Sequence, residues 1–171
     1  MAQFAVRGQP LSTSRAKVTS VTLVIPVYNE EASLRELKGA ICDVVKKSPQ
    51  VGSLQIIFVD DGSTDGSWST LAAIAAEDAN VTSIRLRRNF GKAAALDVGV
   101  RQAKTDIVIT MDADLQDDPQ EIPNFLSKLD EGYDVVSGWK EIRQDRADKV
   151  LPSKVFNYVT GRLTGVRLRR V

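Results

Sequence analysis

Five carboxylates fall within ten positions in "MDADLQDDPQE": Asp112, Asp114, Asp117, Asp118 and Glu121. No Lys or Arg lies among them, so along the chain the cluster is uncompensated. Carboxylates at this density are costly unless a cation or hydrogen bonds balance them. Asp112 and Asp114, with the amide of Gln116, form an all-oxygen set that suits Mg2+ or Mn2+ rather than zinc. A turn brings both carboxylates to one cation. That cation would bridge to a diphosphate and neutralise charge on a leaving group. Asp118, Pro119 and Glu121 read differently, with the spacing of an N-cap, an N1 proline and a capping-box acid. Asp117 is grouped with them as part of a helix start.

Rival metal motifs can be tested by spacing. An EF-hand beginning at Asp112 requires Gly at position 117 and Glu at 123. The chain has Asp117 and Pro123, so that reading fails. An aspartyl phosphatase of the haloacid dehalogenase type also sets Asp-x-Asp after an apolar strand. It would place that strand near the chain start, with a small hydroxyl residue or Val where Gln116 stands. It is kept as the enzyme alternative.

A second cluster is "DDGSTDGS", residues 60–67. Read alone it is a capped turn, with Gly62 and Gly66 free to take positive φ. Beside other clusters, Asp60 and Asp61 become acceptors for ribose hydroxyls or ring N–H groups. Neither GxGxxG nor GK[ST] is present, so no glycine loop cradles a phosphate. A third cluster, "RLRRNFGKAAAL", carries Arg85, Arg87, Arg88 and Lys92 at a strand-to-helix junction. It is either a solvated charged edge or a diphosphate clamp at a helix N-terminus.

The chain has no histidine, which removes the commonest general base and the commonest zinc ligand. Catalysis must then use carboxylates, lysine, a metal, or an acceptor that needs no base. The 171 residues, 43% hydrophobic and 26% charged, allow one domain with a real core. A net charge of +1 gives no sign of a nucleic-acid partner. The distribution is uneven. From Lys140 to Val171 there are nine basic residues against three acidic ones. That segment is either a solvated basic amphipathic tail or a membrane-facing surface with a phosphate site. Cys42 is the only cysteine, at a helical core spacing, which suits a buried inert thiol. No apolar run approaches the roughly 20 residues needed to span a bilayer.

These clusters need positioning elements. Residues 1–20 read as a flexible leader without period, and 21–171 as one catalytic domain. Apolar β-branched runs mark strands at "VTLVIPV" (21–27, ending near Pro26), "LQIIFVD" (54–60), "VTSIRLRR" (81–88), "DIVIT" (106–110) and "YDVVSG" (133–138). Helical patterns lie between them. Asn29 is expected to cap the first, which carries Leu34, Leu37, Ile41, Val44 and Val45 and ends at Ser48-Pro49. "GKAAALDVGVRQAK" is a small-residue helix able to pack closely on a sheet, and a further helix runs from Pro119 to Glu131. Strands alternating with helices predict an α/β fold, a mostly parallel sheet covered on both faces. Ligands of such sheets bind beyond the carboxyl ends of the strands. "YNE", "DDGSTDGS" and "DADLQDD" all fall there.

In this order, "VTLVIPVYNEEASL", "IIFVDDGSTDGS", "RNFGKAAAL", "MDADLQDDPQEI" and "DVVSGWKEIR…PSKVFNYVTGRLTG" resemble the inverting family 2 glycosyltransferases of the GT-A, Rossmann-like fold. More narrowly they resemble polyprenyl-phosphate sugar transferases akin to dolichol-phosphate mannose synthase and undecaprenyl-phosphate glucosyltransferases. The resemblance covers about residues 20–168. It implies transfer of a sugar from a UDP- or GDP-linked donor to a polyprenyl phosphate. Pro26, Tyr28, Glu30, Asp60, Asp61, Lys92 and Ala113 would contact the nucleotide. Asp112, Asp114 and Gln116 would hold Mg2+ or Mn2+. Lys140, Arg143 and Lys154 would meet the acceptor phosphate. Asp112, Asp114 and Lys140 would carry the reaction. The place implied is the cytoplasmic face of the membrane, bound peripherally, with room for an oligomer. A polyprenyl phosphate is already an anionic nucleophile, which agrees with the absence of histidine. Relatives usually continue beyond "LTGVRL", so the chain is expected to be truncated at its acceptor side. The alternatives are a nucleotide-binding remnant without turnover and a family 2 transferase acting on a polysaccharide.

Overall fold

A computed structural model of the chain describes residues 3–6 and 20–138. Lys140, Arg143 and Lys154, and most of the expected leader, lie outside the described residues. The chain divides into two compact units. Ala5–Val136 holds the strand-end clusters. The other, Met1–Phe4 with Ser137–Val171, falls almost wholly outside the described residues.

The strands are β1 (Gln3–Val6), β2 (Ser20–Val27), β3 (Ser53–Asp60), β4 (Val81–Arg85), β5 (Ile107–Thr110) and β6 (Val135–Gly138). The helices are α1 (Leu34–Lys46), α2 (Ser67–Glu77), α3 (Lys92–Gln102) and α4 (Ile122–Asp130), the last entered through a 3-10 turn at Pro119–Glu121. Four strands form one parallel sheet in the order β4-β3-β2-β5. The expected α/β class holds, with two corrections. "YDVVSG" does not join this sheet; β6 pairs with β1 in a separate two-stranded sheet. The expected leader is therefore not wholly irregular, since β1 lies within it.

Residues of β2 alternate between two cores, as a pleated strand requires. Val21, Leu23, Ile25 and Val27 face the larger core with Phe58 of β3. Leu37 and Ile41 of α1, Leu71 of α2 and Ile122 and Leu126 of α4 close it. On the opposite face Ile57 and Val59 meet Ala95 of α3. There α3 comes so close that a Cβ on Gly99 would strike Cγ1 of the fully buried Val24. This is the close approach expected of a small-residue helix. Cys42 packs against the larger core, half-buried.

β2 ends at Val27, one residue past Pro26, as the run 21–27 implies. The pairing with β5 stops at Val24↔Thr110, so Pro26 lies where β2 is paired only with β3. A missing N–H is tolerated at such a position. β5 is short and incompletely covered, with Val108 and Thr110 exposed.

The connections leave β2 and β5 in opposite senses. From β2 the chain passes through α1 to β3 and through α2 to β4, moving outward on one side. From β4 it returns through α3 to β5, on the other side of β2. The adjacent carboxyl ends of β2 and β5 are thus the topological switch point, where open α/β sheets bind ligands.

Candidate functional site

At the ends of β2 and β3 two loops are joined by hydrogen bonds. The Asn29 amide donates to Ser63 Oγ (3.0 Å) and the Glu30 amide to Ser67 Oγ (2.9 Å). In return the Thr64 amide donates to Asn29 Oδ1 (2.8 Å) and the Gly66 amide to Glu31 Oε2 (3.1 Å). Asn29 takes a φ of 57°, a conformation Asn tolerates better than most residues. It does not cap α1 as expected. Ser33 stands at that N-cap, and Asn29 closes the neighbouring loop instead. Asp65 accepts from the Ser67 and Glu31 amides. The Ser67 interaction, first among these, holds its carboxyl below the ordinary value.

Asp60 and Asp61 are drawn into the same framework. Asp60 is fully buried, and its Oδ1 accepts from the Ser63 amide at 3.0 Å. Its Oδ2 accepts no hydrogen bond, although Arg85 Nε lies 3.3 Å away as an ion-pair partner. That distance gives Coulomb attraction without an aimed N–H. The Arg85 guanidinium also sits over the Trp68 ring, 5.4 Å from its centroid. Asp61 is 3% exposed, and its two oxygens accept from the Phe90 and Gly91 amides, each at 2.8 Å. Gly62, at φ 72°, lets the loop lie directly on the backbone of Arg88 and Asn89, where a Cβ would collide. The acid pair therefore joins the loops after β3 and β4. Neither carboxylate is presented to solvent.

The end of β5 is built otherwise. Met111 and Ala113 point into the larger core. Residues two apart share a face of an extended segment. Asp112 and Asp114 thus project away from that core, Asp112 half-buried and Asp114 exposed. Lys92, the first residue of α3, forms an ion pair with Asp112 Oδ1 at 2.5 Å. A positive group does meet the acidic cluster, brought from another element. Asp114 Oδ1 accepts from the Gln116 amide (3.0 Å) across a turn in which Leu115 has a φ of 61°. Asp117 does not start the helix; its Oδ2 reaches back to the Asp112 amide at 2.9 Å. Asp118 is the N-cap expected, accepting from the Gln120 amide. Glu121 binds Asn124 Nδ2 rather than completing a capping box.

Burial, and next the charge of Asp114, push the Glu30 carboxyl up from its ordinary value. The ends of β2 and β5 thus share a negative field, the electrostatic condition for a cation. Among the described residues no three acidic side chains gather closely enough to hold a metal alone. The chemistry of Asp112 and Asp114 fits a hard cation that takes its remaining ligands from phosphate oxygens and water.

The structure brings together Glu30, Lys92, Asp112 and Asp114, with Tyr28 exposed on the β2 loop. Arg85 faces Asp60, and Arg88 lies over the Phe90 ring, 4.8 Å from its centroid. A groove between the starts of α1 and α2, lined by Glu30, Glu31, Arg35 and Asp65, includes none of Asp60, Asp61, Asp112 or Asp114. Sequence reasoning missed the Glu31–Gly66 contact and the Trp68–Arg85 stack. The only signal was the density of Ser, Asp and Gly in residues 60–67.

The four-stranded parallel sheet, flanked by helices and with its switch point between β2 and β5, defines an α/β fold of the doubly wound type. The chain belongs to glycosyl transferase family 2, whose model matches residues 22–169. It is 44% identical over 152 residues to an undecaprenyl-phosphate 4-deoxy-4-formamido-L-arabinose transferase of Shewanella sediminis, covering 86% of this chain and 44% of that protein. The transferase of the same description from Pseudomonas fluorescens Pf-5 is 45% identical over 152 residues, covering 86% and 43%. The chain thus spans less than half the length of these relatives. Among solved structures, S. aureus TarS 1–349 in complex with UDP superposes with a TM-score of 0.53 at 22% identity, over 66% of this chain and 32% of that one. That likeness concerns the fold, which is of the GT-A type the resemblance implies.

Proposed function

We propose that the chain is the donor-binding part of a sugar transferase that passes a sugar from a nucleoside diphosphate to a polyprenyl phosphate, with inversion. The observation that carries the reading is the Lys92–Asp112 ion pair beside Asp114 at the β2/β5 switch point. There Glu30, Asp112 and Asp114 form a negative field with Lys92 at its edge. Glycosyl transferase family membership and relatives named for undecaprenyl phosphate support the acceptor class.

In this reading Asp112 and Asp114, with Gln116 beside them, hold Mg2+ or Mn2+. That cation supplies neutralisation of the diphosphate charge as it departs. Tyr28 offers an exposed ring to the UDP or GDP base, and Pro26 and Ala113 shape the backbone around it. Asp61 fixes residues 90–91 and so sets the start of α3, from which Lys92 reaches the diphosphate. Asp60 meets the donor only when Arg85 swings away. The acceptor's phosphate oxygen attacks the anomeric carbon, and the bond from that carbon to the diphosphate breaks. No proton is moved, so no general base is required, in keeping with a chain lacking histidine. Lys140, Arg143 and Lys154 complete the proposal as acceptor-phosphate contacts. The assignments of 1–20 as a leader and 21–171 as catalytic domain belong to the same proposal. So does peripheral binding at the cytoplasmic membrane face. Among the described residues no helix is long and apolar enough to cross a membrane.

Calorimetry with UDP and GDP, with and without Mn2+, tests the donor site. Metal-dependent binding of one nucleotide is the expected result. Absence of any nucleotide binding sinks the assignment. Binding without transfer to undecaprenyl phosphate favours a nucleotide-binding module.

A further inference from the structure

Lys92 stands in a position that helix physics disfavours. It is the first residue of α3, directly after Gly91 at φ 95°. The helix macrodipole places partial positive charge there, where an anion is welcome and a cation is not. Its placement is nevertheless well determined. The Phe90 and Gly91 amides, the two preceding it, are both held by Asp61. The Ala94 and Ala95 amides close the first turn onto the Gly91 carbonyl. From this fixed origin the side chain reaches Asp112 at the end of β5, an element on the far side of the β2/β3 pair. The contact puts an ammonium on one of the carboxylates assigned above to the metal. Lys92 remains 60% exposed, so it can leave Asp112 without unpacking any core.

We propose that Lys92 is a placeholder for the divalent cation. It neutralises Asp112 while the site lacks its donor, and moves to the diphosphate when metal and nucleotide enter together. The inference rests on the donor-site reading above and adds an order to it. Metal alone competes with Lys92 for Asp112 and binds poorly. A metal–nucleotide pair offers Lys92 a new partner, because its phosphates carry negative charge to a basic residue at a helix N-terminus. The metal and nucleotide therefore bind as a unit.

The test is Mn2+ titration of the 171-residue chain without nucleotide, reading free Mn2+ by electron paramagnetic resonance, followed by the same titration with UDP or GDP. Lys92→Met is expected to bind Mn2+ alone about two- to fivefold more tightly, the scale of a partly exposed ion pair. Lys92→Arg, which keeps the charge on Asp112, is expected to bind Mn2+ alone as weakly as the unsubstituted chain. With nucleotide present, Lys92→Met is expected to lose its advantage and to bind the metal–nucleotide pair more weakly than the unsubstituted chain. A thermal melt controls for folding. Unchanged, weaker or undetectable Mn2+ binding by Lys92→Met in the absence of nucleotide overturns the placeholder. Failure of the donor reading is separate: the unsubstituted chain would then show no Mn2+-dependent binding of UDP or GDP at all.

Discussion

The loops after β2 and β3 and the loop after β5 are all acidic, yet they differ in burial and in the kind of partner their acids hold. In the first pair nearly every polar group named has a partner. Asn29, Glu31, Asp61, Ser63, Asp65 and Ser67 exchange hydrogen bonds across the two loops and with residues 90–91. After β5 the carboxylates are half-buried or exposed, and Asp112 is matched by a side chain that can depart. The first region converts its charge into geometry. The second keeps its charge available. The proposed diphosphate site would draw on both, a rigid frame and an adjustable field.

That contrast predicts where substitutions act. The largest effect is expected at Gly62. Gly62→Ala places a side chain at positive φ against the Arg88 backbone, and should lower stability by about 2 to 4 kcal/mol in urea unfolding. Asp61→Asn should follow, at about 1 to 3 kcal/mol, because one amide of the Phe90–Gly91 pair then faces an NH2 group. A loss as small as that of a surface substitution would show that the loops do not depend on Asp61. Asp114→Ala should do the reverse. It is expected to stay within about 0.5 kcal/mol of the parent in stability, while the metal-dependent part of nucleotide binding is lost in calorimetry. Unchanged Mn2+-dependent affinity would reduce Asp114 to a turn residue.

The smallest effect concerns pH. The Asp65 carboxyl is held below its ordinary value of 3.8, chiefly by Ser67. A depressed carboxyl contributes stability that is fully present above 3.8 and is lost as pH falls through the folded-state value. Asp65→Asn should therefore be slightly less stable than the parent at neutral pH, and the two should converge in acid melts. A constant gap down to low pH would assign the loss to packing instead.

Much of the fold was legible because its signals are local. The runs that became β2 and β3 are long and apolar, and of Leu34, Leu37, Ile41, Val44 and Val45 at helical spacing the first four are buried and Val45 is half-buried. Asp118 caps as its neighbour Pro119 suggests. The misreadings share a cause. Asn29 has the right residue type for a helix cap, but its partner is Thr64, 35 positions away. Asp117 resembles its neighbour Asp118, yet its carboxylate turns back to Asp112. The run "YDVVSG" has strand composition, but composition does not name the strand it pairs with, and β6 found β1.

The candidate site divides in the same way. By itself the sequence determined the order of elements, the parallel sheet and the gathering of acids at strand ends, since periodicity and turn chemistry act over a few residues. Only the tertiary structure decided which acids are committed and which remain available. Asp61 is committed to amides 29 and 30 positions away. Asp112 receives Lys92 from the start of α3, 20 positions earlier in the chain. Such choices depend on distances between segments remote in the chain, where Coulomb attraction and hydrogen-bond geometry are settled only after the sheet has formed.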